Sequence, residues 1–157
     1  KNTEGLFPMP YVLPDGSYVK DENGDKITHP TPNADSGIYL RGKGTYQINI
    51  WCWPIGSGEV YGIRNNEKNP PEVRAGVTPA LKADNPVGQW NTFVITMKGD
   101  RLTVVLNGHL IIEDALLPEV PETGPIALQH HGGMRDGEMS PASSLVQFRN
   151  IFIRELE

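Results

Sequence analysis

Alternation of polar and apolar residues marks the part of this sequence whose side chains could do chemistry. Successive side chains of a β-strand point to opposite faces, so Tyr39 and Arg41 lie opposite the apolar Ile38. The next alternating segment follows the same parity. Its outward-facing residues are Gln47, Asn49 and Trp51, and its inward-facing residues are Tyr46, Ile48 and Ile50. The predicted outer face therefore carries aromatic rings, a guanidinium group and two amides.

The segment 126–131 adds a second polar pair. Ile126 and Leu128 are its expected core residues, which turns Gln129 and His131 toward the opposite side. If this strand lies in the same sheet, both groups converge on the outer face. Amides and guanidinium groups bind hydroxyls, and flat rings cover the apolar faces of sugars. The pattern thus suits a sugar site, and an ordinary solvated sheet face is the alternative.

The histidines do not form a metal motif by themselves. His130 and His131 are adjacent, and adjacent strand residues point to opposite faces, so they cannot readily share one ion. A divalent metal would need one of them together with distant groups such as His29, Asp35 or Glu59. The sequence also has no nucleophile elbow, phosphate loop or His-Glu-x-x-His helix motif.

Composition narrows the class of protein. The 157 residues include 17 Gly and 14 Pro and carry a formal net charge of -5, with scattered basic residues. This balance favours β structure and argues against a nucleic-acid partner. The single cysteine, Cys52, excludes an internal disulfide and is expected to be a partly buried small side chain. No apolar run approaches the roughly 20 residues of a membrane helix, so no membrane span is expected.

Strand signals begin after residue 35. The predicted strands are 37–41, 46–51, 60–63, 91–97, 102–106, 109–113, 126–131 and 146–156. The first two form a hairpin, and the three from 91 to 113 form an antiparallel meander with an Asn-Gly turn. In the last strand the apolar parity changes after Phe148, which predicts a β-bulge near Arg149 and Asn150.

The remaining segments are predicted to be loops around a single core. A chain of this length supports one domain, which we expect to span residues 1–157. Residues 1–35 are rich in turn residues and predict an irregular loop or arm, with a short hairpin around Tyr18 and Val19. Segments 54–89 and 132–144 are predicted to be chiefly loop.

Six segments between residues 36 and 156 occur in a recognisable order and spacing. They are Ser36-Gly37-Ile38-Tyr39-Leu40-Arg41-Gly42, Gly88-Gln89-Trp90-Asn91-Thr92, Lys98-Gly99-Asp100-Arg101-Leu102-Thr103-Val104, Leu106-Asn107-Gly108, Gly124-Pro125-Ile126-Ala127-Leu128-Gln129 and Phe148-Arg149-Asn150-Ile151. Together they resemble the 3-keto-disaccharide hydrolase domain family. The resemblance implies an all-β fold, a concanavalin A-like or laminin G-like jelly-roll β-sandwich of antiparallel strands with long loops.

Two departures from the family pattern affect what the resemblance implies. Family members usually carry further strands before the Ser-Gly-Ile segment, so the core 36–157 is expected to be incomplete at its N-terminal side. Homo-oligomerisation or pairing with a missing N-terminal segment would then cover exposed sheet edges. In addition, Gln47-Ile48-Asn49 stands where the family commonly shows Glu-Val-Gln, so an amide replaces a carboxylate.

The resemblance implies a bacterial, exported enzyme, periplasmic, cell-surface or extracellular, of the glycoside hydrolase type. Its substrates would be 3-keto-glycosides or 3-keto-disaccharides, cleaved by proton abstraction, elimination and water addition. On this scheme His131 is the general acid or base and Arg41, or a divalent metal in its place, stabilises the enolate. The remaining predicted contacts are Gln47, Asn49 and Gln129 to the hydroxyls, and Tyr39 or Trp51 to the sugar ring.

Two other functions remain open at this point. A non-catalytic carbohydrate-binding or adhesion module would use the same face without forming product. A structural accessory domain of a larger exported protein would bind no ligand at all.

Overall fold

The computed structural model describes residues 6–32, 34–42, 44–140 and 146–156. Within them the predicted all-β fold of antiparallel strands is confirmed. The strands are β1 (Leu6–Pro10), β2 (Thr28–Pro32), β3 (Asp35–Tyr39), β4 (Gln47–Trp51), β5 (Phe93–Lys98), β6 (Arg101–Leu106), β7 (His109–Leu116), β8 (Ala127–Leu128), β9 (Gly133–Arg135) and β10 (Glu138–Ser140). Two short helices, α1 (Tyr61–Arg64) and α2 (Pro71–Gly76), and a 3-10 turn, Gly44–Tyr46, interrupt them.

Strands β3 and β4 form the predicted hairpin and lie in a three-stranded sheet of order β4-β3-β8. Their register pairs Ile38 with Ile48 and Tyr39 with Gln47. The chain leaves β3 through Arg41 and Gly42, whose φ angles of 50° and 79° are left-handed. This reversal ends the strand alternation just after Tyr39.

The predicted meander is also confirmed, as a second three-stranded sheet of order β5-β6-β7. Asn107 and Gly108 both have positive φ, as the two-residue turn between β6 and β7 requires. The register shifts between Leu102 and Val105, which marks a bulge in the β6-β7 ladder.

The hydrophobic core lies between these two sheets and the two helices. Its fully buried members include Ile48 from β4, Val60 just before α1, Ile63 within α1, and Leu102 and Val104 from β6. Leu40 and Tyr46 are buried with them, as their parity predicts.

The prediction of a strand at 60–63 is wrong, because Val60 directly precedes α1 and residues 61–63 belong to it. Helical spacing puts Val60, Ile63 and Arg64 on the core side, which strand alternation would not do. Gly62 allows the helix to approach the backbone of Thr45, where a side chain would collide. Helix α2 was also not predicted, although Pro71 at its first position is a common helix start.

Four expectations for the C-terminal third are also wrong. β8 contains only two residues at the edge of its sheet, so Ile126 and Leu128 stay exposed instead of joining the core. Residues 146–156 form no strand, and Ile151 and Ile153 are 59% and 76% exposed, because no described strand pairs with them. The predicted bulge therefore has no ladder to interrupt, although Asn150 has φ 53°. The loop expected at 132–144 contains the hairpin β9-β10 instead.

The N-terminal arm contains more pairing than its turn-rich composition predicts. β1 and β2 are antiparallel, and beyond them the bridges Val12–Tyr18 and Lys20–Lys26 pair the segment 18–20 with the chain on either side of it. This agrees with the short hairpin predicted around Tyr18 and Val19. The carbonyl oxygen of Gly16 accepts hydrogen bonds from Arg64 at 3.1 Å and Arg74 at 3.4 Å. These bonds attach the arm to the helical side of the core.

No helix in the described part of the chain is long and apolar enough to cross a membrane.

Candidate functional site

The register of the β4-β3-β8 sheet determines which predicted side chains share a face. Asp35 pairs with Trp51, and Gly37 pairs with Asn49. On the other side of β3, the backbone N–H of Gln129 donates to the backbone carbonyl oxygen of Gly37 at 2.8 Å. The alternation therefore puts Trp51 on one side of the sheet together with six other residues, which we call the polar face: Asp35, Tyr39, Gln47, Asn49, Gln129 and His131.

Two amides from different strands meet at the centre of the polar face. The Nε2 group of Gln47 donates to the side-chain oxygen of Gln129. The Gln47 side chain lies over Gly37, where any Cβ would overlap it. Because residue 37 is a glycine, the Gln47 side chain of β4 has room to cross β3 and reach Gln129, which follows β8 directly.

Asn49 lies beside this pair and is only 4% exposed. Its side-chain oxygen has no hydrogen-bond partner among the described residues. Its backbone is paired, since Asn49 donates to Glu59 at 2.9 Å and accepts from Gly58 at 2.8 Å. A buried carbonyl oxygen without a donor is uncommon, and a ligand hydroxyl or water would satisfy it.

The expectation that Trp51 is exposed is wrong, because it is 5% exposed beneath other aromatic rings. Trp53 stacks on it with ring centroids 3.9 Å apart and planes at 4°. Tyr61 meets both indoles edge-on, at 5.6 Å and 5.9 Å. Sequence reasoning missed Trp53 and Tyr61. The shared parity of Trp51 and Trp53 was a usable signal, whereas Tyr61 lies on a helix that was not predicted.

His131 contacts Asp35 at the end of the polar face. Its Nε2 atom lies 3.2 Å from Oδ2 of Asp35, and the two side chains are 38% and 41% exposed. The sequence indicates Asp35 only as a distant candidate metal ligand. The parity it shares with Gly37 and Tyr39 was the signal that places it on this face.

The Tyr61 phenol is influenced electrostatically both by this carboxylate and by Tyr18 of the arm. Burial is the main cause that raises the pKa of the Tyr61 phenol, followed by its charge coupling and hydrogen bond to Tyr18 and then by the Asp35 carboxylate. A phenol is already protonated at neutral pH, and the raised pKa extends this state to more alkaline pH. Tyr18 in turn donates to Asn65 at 2.9 Å.

A buried ion pair lies behind Asn49. Glu59 and Arg64 are both fully buried and in direct contact. Burial lowers the pKa of Arg64 from its very high ordinary value, but a guanidinium stays charged at neutral pH. Arg64 also donates to the hydroxyl of Tyr18 at 3.3 Å. This pair holds the arm, α1 and the flank of β4 together.

Arg41 is not brought to the polar face. Its guanidinium donates to the carbonyl oxygens of Gly99 at 2.7 Å and Pro121 at 2.8 Å, and so ties the hairpin turn to neighbouring loops. The reason is the left-handed backbone at Arg41, which breaks the alternation assumed for it. Tyr39 does keep its predicted parity, opposite Gln47 and Ala127.

A cleft of about 2100 Å³ lies against the other face of the same sheet. Ile38 and Ile50 line it together with β5 and the segment 146–156. Arg41 and Trp51, two of the predicted site residues, also line it, together with charged side chains such as Lys82 and Arg149. The polar-face residues Gln47, Asn49 and Gln129 do not contribute to it. The predicted site residues are therefore divided between the cleft and the polar face.

The described residues contain no group of three or more His, Cys, Asp or Glu side chains that could hold a metal ion. The Asp35–His131 pair offers only two such ligands. His29, another predicted candidate, contacts the hydroxyl of Tyr11 at 3.2 Å instead.

Comparison with known proteins supports the resemblance seen in the sequence. No curated protein and no solved structure matches the chain. A family model, described as the 3-keto-alpha-glucoside-1,2-lyase-like domain, matches residues 23–154. Because this match covers most of the 157 residues, the chain belongs to the 3-keto-alpha-glucoside-1,2-lyase-like domain family.

Proposed function

We propose that this protein cleaves glycosides oxidised to a ketone at C3, and that the polar face holds the sugar. The observation that carries the proposal is the juxtaposition on one face of the Asp35–His131 pair and the Gln47–Gln129 amides. An imidazole can move a proton at neutral pH, and amides can bind sugar hydroxyls in fixed directions. The family description points to the same class of substrate.

Binding would use the amides and the aromatic residues. The Asn49 oxygen has no described partner and accepts from a sugar hydroxyl once the side chains that cover it move aside. Because the side-chain oxygen of Gln129 already accepts a hydrogen bond from Gln47, its NH₂ group is the part that donates to a substrate oxygen. Trp53 and Tyr39 offer ring surface for the apolar side of the sugar.

The chemistry follows from the acidity that a ketone gives its neighbouring carbon. The imidazole of His131 takes the proton from C2, and the C–H electron pair forms the enolate with negative charge on the C3 oxygen. The enolate electrons then return to form a C1–C2 double bond as the C1–O bond breaks. The leaving oxygen takes the proton back from His131. Addition of water across the double bond at C1 and C2 gives the free 3-keto sugar.

The enolate oxygen needs a hydrogen-bond donor. Arg41 cannot be this donor, because its guanidinium is bonded to Gly99 and Pro121. The Gln129 amide is the donor we assign to the enolate oxygen, because neutral donors held in place can stabilise a developing oxyanion. No step is routed through a metal, as the described donors do not make up a site.

A turnover assay with a matched pair of glycosides tests the proposal. We expect release of the aglycone from a 3-keto-glucoside and none from its unoxidised parent, with and without chelator. His131→Ala should lower kcat by about 100-fold or more with little change in KM, since a general base contributes on the order of 100-fold to 10,000-fold.

The other outcomes separate the alternatives. Binding of both glycosides without product, unchanged in His131→Ala, would indicate a carbohydrate-binding module. Absence of both binding and product would indicate an accessory domain. Loss of turnover on adding chelator would show that a metal takes part and would contradict the metal-free scheme.

A further inference from the structure

The ladder between β3 and β8 continues past its last formal strand pair. Ile38 pairs with Leu128, and Gln129 donates to Gly37 at 2.8 Å. The hydroxyl of Ser36 donates to the carbonyl oxygen of Gln129 at 2.9 Å. These bonds fix residue 129 against the start of β3, so that Asp35 lies across from His131.

The donor and the acceptor in the contact between Asp35 and His131 can be assigned. Oδ2 of Asp35 lies 3.2 Å from Nε2 of His131. A carboxylate can only accept, so the imidazole must donate through Nε2. In its neutral form the ring then carries its lone pair on Nδ1. A contact this exposed adds little to stability, so its consequence is orientation.

Asp35 also borders the aromatic cluster. It pairs in register with Trp51, whose indole is covered by Trp53 and Tyr61. Its charge is one of the causes that raise the pKa of Tyr61. The carboxylate therefore lies between the histidine and the rings proposed to contact the sugar.

We infer that Asp35 is a positioning residue for His131. Its carboxylate holds the imidazole in the Nε2–H tautomer, so that Nδ1 removes the C2 proton, and it stabilises the imidazolium formed in that step. This inference rests on the proposed function for its catalytic meaning. The tautomer and orientation of His131 are properties of the free protein.

Two variants separate the charge of Asp35 from its hydrogen bond. Asp35→Asn keeps the size and an accepting oxygen, whereas Asp35→Ala removes both. Asp114→Asn is a matched control, because Asp114 is exposed, contacts Arg101 at 3.8 Å on the other sheet and has a φ of 45° that Asn tolerates.

Nitrogen-15 NMR of the His131 ring tests the positioning without substrate. We expect a single Nε2–H tautomer in the wild type at pH values where the ring is neutral, and a mixture of both tautomers in Asp35→Ala. Ring shifts of His131 in Asp35→Ala equal to those of the wild type would overturn the inference. This result stands whether or not any 3-keto-glycoside is turned over.

Turnover of a 3-keto-glucoside supplies the second readout. Loss of an orienting partner typically costs about 10-fold to 100-fold, so we expect kcat to fall in that range for Asp35→Ala and less for Asp35→Asn. KM should change by less than about twofold, and Asp114→Asn should behave as wild type. Adding Asp35→Ala to His131→Ala should cost nothing further, since both act on one proton transfer. If the wild type is inactive but its tautomer is fixed, the proposed function alone fails.

Discussion

At the scale of single residues, the polar face depends on one position that has no side chain. Gly37 is where Gln47 crosses β3 to reach Gln129, and a methyl group there would overlap the Gln47 side chain. The sequence parity of Gln47 and Gln129 predicts their common face but not their hydrogen bond. That bond depends on the β3-β8 register, which the local pattern does not contain.

Gly37→Ala should displace Gln47 while leaving the fold in place, because the far end of a flexible side chain can move aside. We expect KM for a 3-keto-glycoside to rise by about 10-fold, the value of one lost hydrogen bond of roughly 1.4 kcal/mol. Steady-state kinetics combined with thermal unfolding measures both effects. Gly133→Ala is the control, because a methyl group there meets nothing within 4 Å. An unchanged KM in Gly37→Ala would show that the amide pair does not contact substrate.

At the scale of elements, the sequence predicts what local chemistry specifies. The turns Lys98-Gly99-Asp100 and Asn107-Gly108 correctly place the meander β5-β6-β7. The segment 146–156 alternates on both sides of a parity change after Phe148 but forms no strand, because a strand also requires a neighbour with which to pair. α1 is not predicted because its four residues are too few to show a helical pattern. Its helical conformation depends on tertiary contacts.

Gly62→Ala tests how α1 positions Tyr61. Its new Cβ would lie 2.8 Å from the carbonyl oxygen of Thr45, and backbone cannot move as a side chain can. We expect the free energy of unfolding in urea to fall by about 1–3 kcal/mol, as for overpacked cores. Gly76→Ala in α2 meets only Ala115 at 3.7 Å and should be neutral or slightly stabilising. Equal stability of both variants would contradict the tight docking of α1.

At the scale of the whole molecule, an all-β jelly-roll domain joins its N-terminal arm to the polar face through buried charge. Arg64 contacts Glu59 and donates to Gly16 and Tyr18 of the arm. The Asp35 carboxylate, which contacts His131, contributes to the raised pKa of the nearby Tyr61. The sequence offers Glu59 only as a distant metal ligand and predicts no role for Arg64, because a sequence pattern cannot reveal that the two side chains are buried together.

Glu59→Gln should leave the Arg64 charge buried without its counter-ion. Removal of one partner from a buried ion pair typically costs about 3–5 kcal/mol, and we expect urea unfolding to show a loss of this size. Hydrogen exchange at residues 16–20 should also increase as the arm loosens. The double variant Glu59→Gln with Arg64→Met should recover part of the loss. A single variant as stable as wild type would contradict the anchoring.

The most direct test of the central claim is cleavage of a 3-keto-glucoside in D₂O, followed by NMR of the released sugar. Elimination and water addition place solvent deuterium at C2, whereas direct hydrolysis at C1 leaves the C2 proton in place. The released sugar incubated alone for the same time controls for spontaneous exchange. We predict deuterium at C2 in every product molecule formed by the wild type and almost no product from His131→Ala. Product that retains hydrogen at C2, or equal turnover by His131→Ala, would contradict the account.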